Sequence, residues 1–303
     1  MTNEFAIITH ALSKSYGKNS AVRELDLSVK LNRITAFLGR NGAGKSTTIK
    51  MLLGMIRPTC GSGAVLGGEI TDTAASRNIR RRVAYVGEDK PLYAYMTVVQ
   101  IVRFAKSFYP DWRSDTEKKL LYEYELPVER KVKTLSKGMR TKLALLLAFA
   151  RRPDLLILDE PSEGLDPVGI EHLLRSLVTQ ASDGVSIFFS SHQIAEVERV
   201  ADHVCILEKG RLLVDQSLDE LRRSYRRIDL VFDSSIPENE FRFSNVQRIE
   251  TRGRHMSVFV QSNADTVVER ARRLNALSVD VSPVALRDIF LETVREEPER
   301  ALV

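Results

Sequence analysis

The stretch Gly39-Arg40-Asn41-Gly42-Ala43-Gly44-Lys45-Ser46-Thr47 matches the phosphate-loop pattern G-x-x-x-x-G-K-[ST] without a mismatch, and its reading decides the fold. Before it, Ile34-Thr35-Ala36-Phe37-Leu38 reads as a buried strand; after it, Thr47 to Leu53 reads as a helix. Such a strand, turn and helix hold triphosphates because glycines let successive backbone N–H groups point inward while the helix N-terminus adds partial positive charge. All nine residues are therefore candidate nucleotide-binding groups. Lys45 is expected to reach the β- and γ-phosphates, and Ser46 to place its hydroxyl on Mg²⁺.

Moving outward, Leu155-Leu156-Ile157-Leu158-Asp159-Glu160 is an unbroken apolar run ending in two carboxylates. It suits a parallel strand covered on both faces, whose acids emerge at the C-terminal edge where such sheets bind ligands. Asp159 can hold Mg²⁺ through water, and Glu160 can orient or deprotonate an attacking water. Val185 to Phe189 reads as another buried strand, closing at Ser190-Ser191-His192. Leu135-Ser136-Lys137-Gly138-Met139 leads into a helix with Leu143, Leu146, Leu147 and Ala150 on one face, and Ser136 as N-cap leaves N–H groups free for an anion. Ser162 to Pro167 reads as a turn before a helix from Val168 to Val178. Met96 to Leu126 carries helical spacing, and Pro58 to Gly68 reads as short antiparallel strands.

The 303 residues suffice for one large and one small domain, and a net charge of +5 with interspersed signs does not point to nucleic acid. Short arginine clusters, such as Arg80-Arg81-Arg82, read as solvated faces. Cys60 and Cys205 fit neither a metal pattern nor a disulfide framework; they are expected to be packing residues in a reducing compartment. Met1-Thr2-Asn3-Glu4 does not look like a secretory signal. The longest apolar run, Leu143 to Ala150, is far short of a membrane span. Work at a bilayer would need another chain to supply the span.

These stretches, in this order, resemble the nucleotide-binding subunit of ATP-binding cassette (ABC) transporters over about residues 4–220. Walker A corresponds to Gly39–Thr47, the signature to Leu135–Met139, Walker B to Leu155–Asp159 with Glu160 as catalytic glutamate, the D-loop to Ser162–Asp166, the switch histidine to His192 and the adenine-stacking aromatic to Tyr16. Phe108-Tyr109-Pro110-Asp111-Trp112 and the Leu-Ser-Lys-Gly-Met signature further resemble bacterial exporter ATPases of peptide-antibiotic and envelope-stress type. The resemblance implies an α/β P-loop NTPase: a RecA-like core with an antiparallel β subdomain and a helical subdomain at about 92–150, together spanning 1–221. It also implies ATP and Mg²⁺ as cofactors and catalysis by Lys45, Glu160 and His192. Metal contact falls to Ser46, Asp159 and Glu88. Nucleotide contact extends from Walker A to Tyr16, Ser136, Gly138 and Asp166. Two copies, identical or not, are expected to close head to tail on shared ATP at the cytoplasmic face of the cell membrane. Membrane contact would come only through a transmembrane permease that exports the substrate.

Three departures from the family pattern, at four positions, stand out. Glu88 stands where glutamine is usual, keeping an oxygen for Mg²⁺ while losing amide donors. Lys137 and Met139 replace signature glycine and glutamine, and Glu163 takes a D-loop place where a small residue is common. The aromatic segment Glu88–Met96 either receives a short helix from the membrane subunit or packs internally. Residues 222–303 read as a small α+β appendage for dimer stabilisation or regulation: strands at 228–232, 256–260 and 279–281, helices at 266–277 and 286–294. The rival reading, a soluble ABC ATPase acting on ribosomes or DNA, lacks the second cassette or long coiled coil usual for it. A regulatory ATP binder with little turnover is opposed by Glu160 and His192.

Overall fold

The computed structural model describes residues 4–233 and 238–294, and the chain divides into two compact units between Asp215 and Gln216. Met1 to Asn3, read above for a leader, lie outside the described residues. The first unit opens with β1 (Phe5–Tyr16), β2 (Asn19–Leu25), β3 (Ser28–Lys30) and β4 (Ile34–Gly39). The phosphate-loop helix α1 (Lys45–Leu52) follows, then β5 (Cys60–Val65), β6 (Gly68–Glu69), α2 (Thr73–Arg82) and β7 (Val83–Val86). Three helices come next, α3 (Val98–Lys106), α4 (Ser114–Glu123) and α5 (Lys137–Ala150). The remainder is β8 (Leu155–Asp159), α6 (Pro167–Ser182), β9 (Ser186–Ser191), α7 (Ile194–Val200), β10 (His203–Glu208) and β11 (Arg211–Ser217).

Among the described residues, one sheet runs β11-β10-β4-β9-β8-β7, with β10, β4, β9, β8 and β7 parallel. Every residue of β4, β8 and β9 is buried, as their unbroken apolar runs require of strands covered on both faces. Phe37 and Phe188, with ring centroids 5.2 Å apart, join Ile49, Leu155, Ile157 and Cys205 in one core. Each fully buried phenylalanine contributes about 1.5–3 kcal/mol over exposure, so Phe37→Ala would open a cavity beneath the phosphate loop. An antiparallel sheet of β2-β1-β5-β6, with β3 also on β1, lies alongside. α5 packs on α3 and α4. Its buried residues include Leu143, Leu145, Leu146 and Phe149, while Leu147 is only half-buried. Of the two expected packing cysteines, Cys205 is buried and Cys60 exposed.

The second unit contains α8 (Leu218–Ser224), β12 (Tyr225–Val231), β13 (Val246–Arg252), β14 (His255–Gln261), α9 (Ala264–Arg273), β15 (Ser278–Pro283) and α10 (Leu286–Thr293). Its antiparallel sheet is ordered β13-β14-β12-β15. Ile228, Leu230, Met256, Val258 and Val260 face Val267 and Ala271 of α9 in a separate core.

Candidate functional site

Parallel pairing brings the site together. The neighbours β4, β9, β8 and β7 pair Leu38 with Ser191, Asp159 with Ser190, and Val86 with Leu158. The residues just beyond those positions therefore leave the same edge side by side: the loop after Gly39, then His192, Glu160 and Glu88. They line a cleft of ≈ 600 Å³ with Ala21, Arg40 to Thr47 and Glu163. Gly44, at φ 111°, turns the loop into α1, and a Cβ there would lie 2.4 Å from the Ala21 carbonyl oxygen. Only glycine satisfies both constraints. No side chain caps α1, so its first N–H groups are left for an anion.

Lys45 is 6% exposed. Its Nζ donates to the carbonyl of Gly39 at 2.8 Å and of Arg40 at 3.4 Å, and pairs ionically with Glu160 Oε1 at 3.2 Å without hydrogen-bond alignment. Burying this ammonium is tolerable because two carbonyl dipoles and a carboxylate surround it. Glu160 sits at φ 49°, a left-handed conformation that costs a non-glycine residue free energy and tends to collect at functional sites. Its N–H donates to Ser190 Oγ at 3.0 Å, and Ser190 Oγ in turn donates to Asp159 Oδ1 at 2.6 Å. Glu160 Oε2 lies 2.8 Å from His192 Nδ1. The carboxylate is thus aimed from both ends, by a lysine and by a histidine.

Ser46 and Glu88 line the cleft, and Asp159 adjoins Glu160 with one carboxylate oxygen taken by Ser190. Hydroxyl and carboxylate oxygens are the donors a hard divalent cation such as Mg²⁺ takes. Gly39, which ends β4, and four candidates from other elements are not among the residues lining the cleft. Tyr16 is 53% exposed beneath the Lys14 ammonium. Ser136 caps α5 through Met139 N–H, Asp166 caps α6 through Gly169 N–H, and Gly138 packs against Gly164.

Sequence reading missed several groups here. Burial first, then Asp159, Asp89 and Glu88, push the Tyr85 phenol up to about 12, so it remains a donor beside the acids. Lys90 is 7% exposed and donates to the Glu88 carbonyl at 3.0 Å; burial pulls its pKa down. Burial raises Glu196, which lies near Glu160 and His192. No local pattern marks these residues, since each matters only through where the sheet edge places it. A larger cavity of ≈ 660 Å³ between α4 and α6 has its prominent charges already paired, Arg113 with Asp183 and Arg199 with Glu171. Of these two, the cleft at the strand ends is the one where a buried lysine, a buried glutamate and a histidine converge.

The family model described as ABC transporter matches residues 22–163. The bacitracin transport ATP-binding protein BcrA of Bacillus licheniformis is 37% identical over 73% of this chain and 72% of its own length. The ABC transporter ATP-binding protein YtrB of Bacillus subtilis is 28% identical over 92% of this chain and 95% of its own. A solved structure described as the ATP binding subunit of an ABC transporter superposes with TM-score 0.65 at 32% identity, covering 72% of this chain and 92% of that one. Among the described residues, no helix is long and apolar enough to cross a membrane.

Proposed function

We propose, on the premise that this chain belongs to the ABC transporter ATP-binding proteins, that it hydrolyses ATP in the cleft at the strand ends to drive export through a separate permease. The observation that carries the reading is the grouping of Lys45, Glu160 and His192 around the loop that leads into a helix with no side-chain cap. When ATP enters, the loop amides and Lys45 take the β- and γ-phosphates, and Lys45 exchanges Glu160 for phosphate oxygens. Glu160, released on that side and still held by His192, accepts a proton from the attacking water. Ser46, Asp159 and Glu88 hold Mg²⁺, which when bound neutralises phosphate charge. Tyr16 is the group that stacks on adenine.

The turn at Ser136 lies outside the cleft of its own chain, so its contribution comes from a second copy facing the first. One helix N-terminus carries about half a positive charge, too little for a triphosphate of about four negative charges, and a second supplies further donors. Ser136, Gly138 and Asp166 belong to that second half. Hydrolysis removes the phosphate bridging the copies and loosens them. The permease meets the exposed aromatic group of Tyr95, Tyr93, Phe104 and Phe108, whose rings touch in that order at centroid distances of 5.9, 5.5 and 5.0 Å. Likeness to BcrA supports a peptide antibiotic as the exported class, with this chain at the cytoplasmic face of the membrane.

Glu160→Gln tests the reading. It should bind ATP normally, slow turnover by about 10²–10⁴-fold, and persist as an ATP-dependent dimer on gel filtration. Near wild-type turnover would refute the assigned role.

A further inference from the structure

The turn before α6 and the start of α5 are packed as one piece. A Cβ on Gly138 would lie 2.6 Å from the Gly164 carbonyl oxygen, and Thr141 Oγ1 donates to the Glu163 carbonyl at 3.3 Å. Gly164 sits at φ +81°, and the aliphatic stem of Lys137 runs across it: a Cβ there would come within 3.0 Å of Lys137 Cγ and 3.1 Å of Cδ. The absent side chain leaves a track for the lysine. At its end, Lys137 Nζ meets Glu163 Oε1 at 2.5 Å. Lys137, one of the two departures in the signature, and Glu163, the departure in the D-loop, are therefore partners.

Glu163 also lines the phosphate cleft of its own chain. Lys137 holds its carboxyl below the usual range, with smaller contributions from Lys90 and His192. The pair is nonetheless loose, its side chains 56% and 35% exposed, and an exposed pair is easily exchanged for a stronger ligand. A triphosphate is such a ligand, and Lys137 stands one residue after the N-cap Ser136.

We infer that Glu163 is a positioning residue for Lys137, holding it within its own chain until a second copy docks and then yielding it to the triphosphate bound by that copy. The inference rests on the reading that Ser136 acts on the facing copy's nucleotide. Lys137 thereby adds a charged phosphate contact that glycine at this position cannot make. Glu163 sets how much ATP is needed before the copies close.

The test is a double-mutant cycle in the Glu160→Gln background, reading by light scattering the ATP concentration at half-maximal dimerisation. Lys137→Gln should raise it about fivefold and Glu163→Gln lower it about threefold, while the double variant matches Lys137→Gln alone. Lys137→Arg should restore the starting value, which separates lost charge from misfolding. The inference is overturned if Glu163→Gln lowers the midpoint equally with Lys137 removed, because Glu163 would then act on the phosphate directly. It is also overturned if Lys137→Gln changes nothing. A Glu160→Gln parent that remains monomeric in ATP defeats the two-copy reading itself, whereas a dimerising parent without coupling defeats only this inference.

Discussion

Two helix starts in the first unit use the same chemistry and stand in opposite states. At Gly44-Lys45 the lysine is 6% exposed and enclosed by its own loop and by Glu160; at Ser136-Lys137 the lysine side chain is 56% exposed, beside a serine that caps its own helix. The first is a binding site assembled within one chain. On the proposed reading, the second is a donor surface for the nucleotide of a facing copy. The difference teaches that a helix start is enclosed only where strand ends converge on it and otherwise stays open to solvent.

The largest effect expected from this contrast follows Lys45→Ala. It removes the charged phosphate ligand and leaves Glu160 buried without its cation, so ATP affinity should fall by about two orders of magnitude in titration calorimetry. Breaking a buried pair also costs about 3–5 kcal/mol of stability. A loss of only a fewfold would mean the enclosed lysine is structural. Ser136→Arg should behave in the opposite way: ATP affinity of the monomer stays within about twofold, while hydrolysis drops by about 50-fold or more because the facing copy cannot close. Loss of monomer affinity would show the two helix ends serving one chain, and the contrast would dissolve.

The smallest effect concerns what it costs to crowd acids beside Glu160. Burial raises the folded-state pKa of Glu196 above 4.5, so between that value and the raised one the folded chain keeps a proton that the unfolded chain has lost. Stability therefore falls as pH rises through that window, and above it the buried carboxylate is a liability. Glu196→Gln should be more stable than the parent at pH 8, with the gap closing as pH falls below the window. Thermal melting at several pH values reads it; a gap that widens in acid would reverse the sign and assign the carboxylate a stabilising role.

Much of the first unit was legible because its signals are local. Four aliphatic residues before Asp159 can only be a covered strand, and the glycines before Lys45 admit one kind of turn. Other elements were not legible. β13 was missed because Val246–Arg252 alternates poorly and buries none of its residues fully; it is a strand because β14 supplies its hydrogen bonds. α2, with its arginine-rich end, shows among its described side chains a single buried apolar residue, Ile79, and gives no periodic signal. Tyr16, read from the sequence as the adenine-stacking aromatic, is exposed at the end of β1 and is not among the residues lining the cleft.

The sequence by itself determined that a triphosphate loop, two acids and a histidine stand at strand ends of an α/β chain of the ABC family, because each depends on residues within one turn or strand. Only the tertiary structure decided that Lys45 rests against Glu160, that Lys90 and Tyr85 crowd the acids, and that Glu163 pairs with Lys137. Those pairings join residues from different elements, and sheet order and close packing, which no local pattern encodes, set their distances.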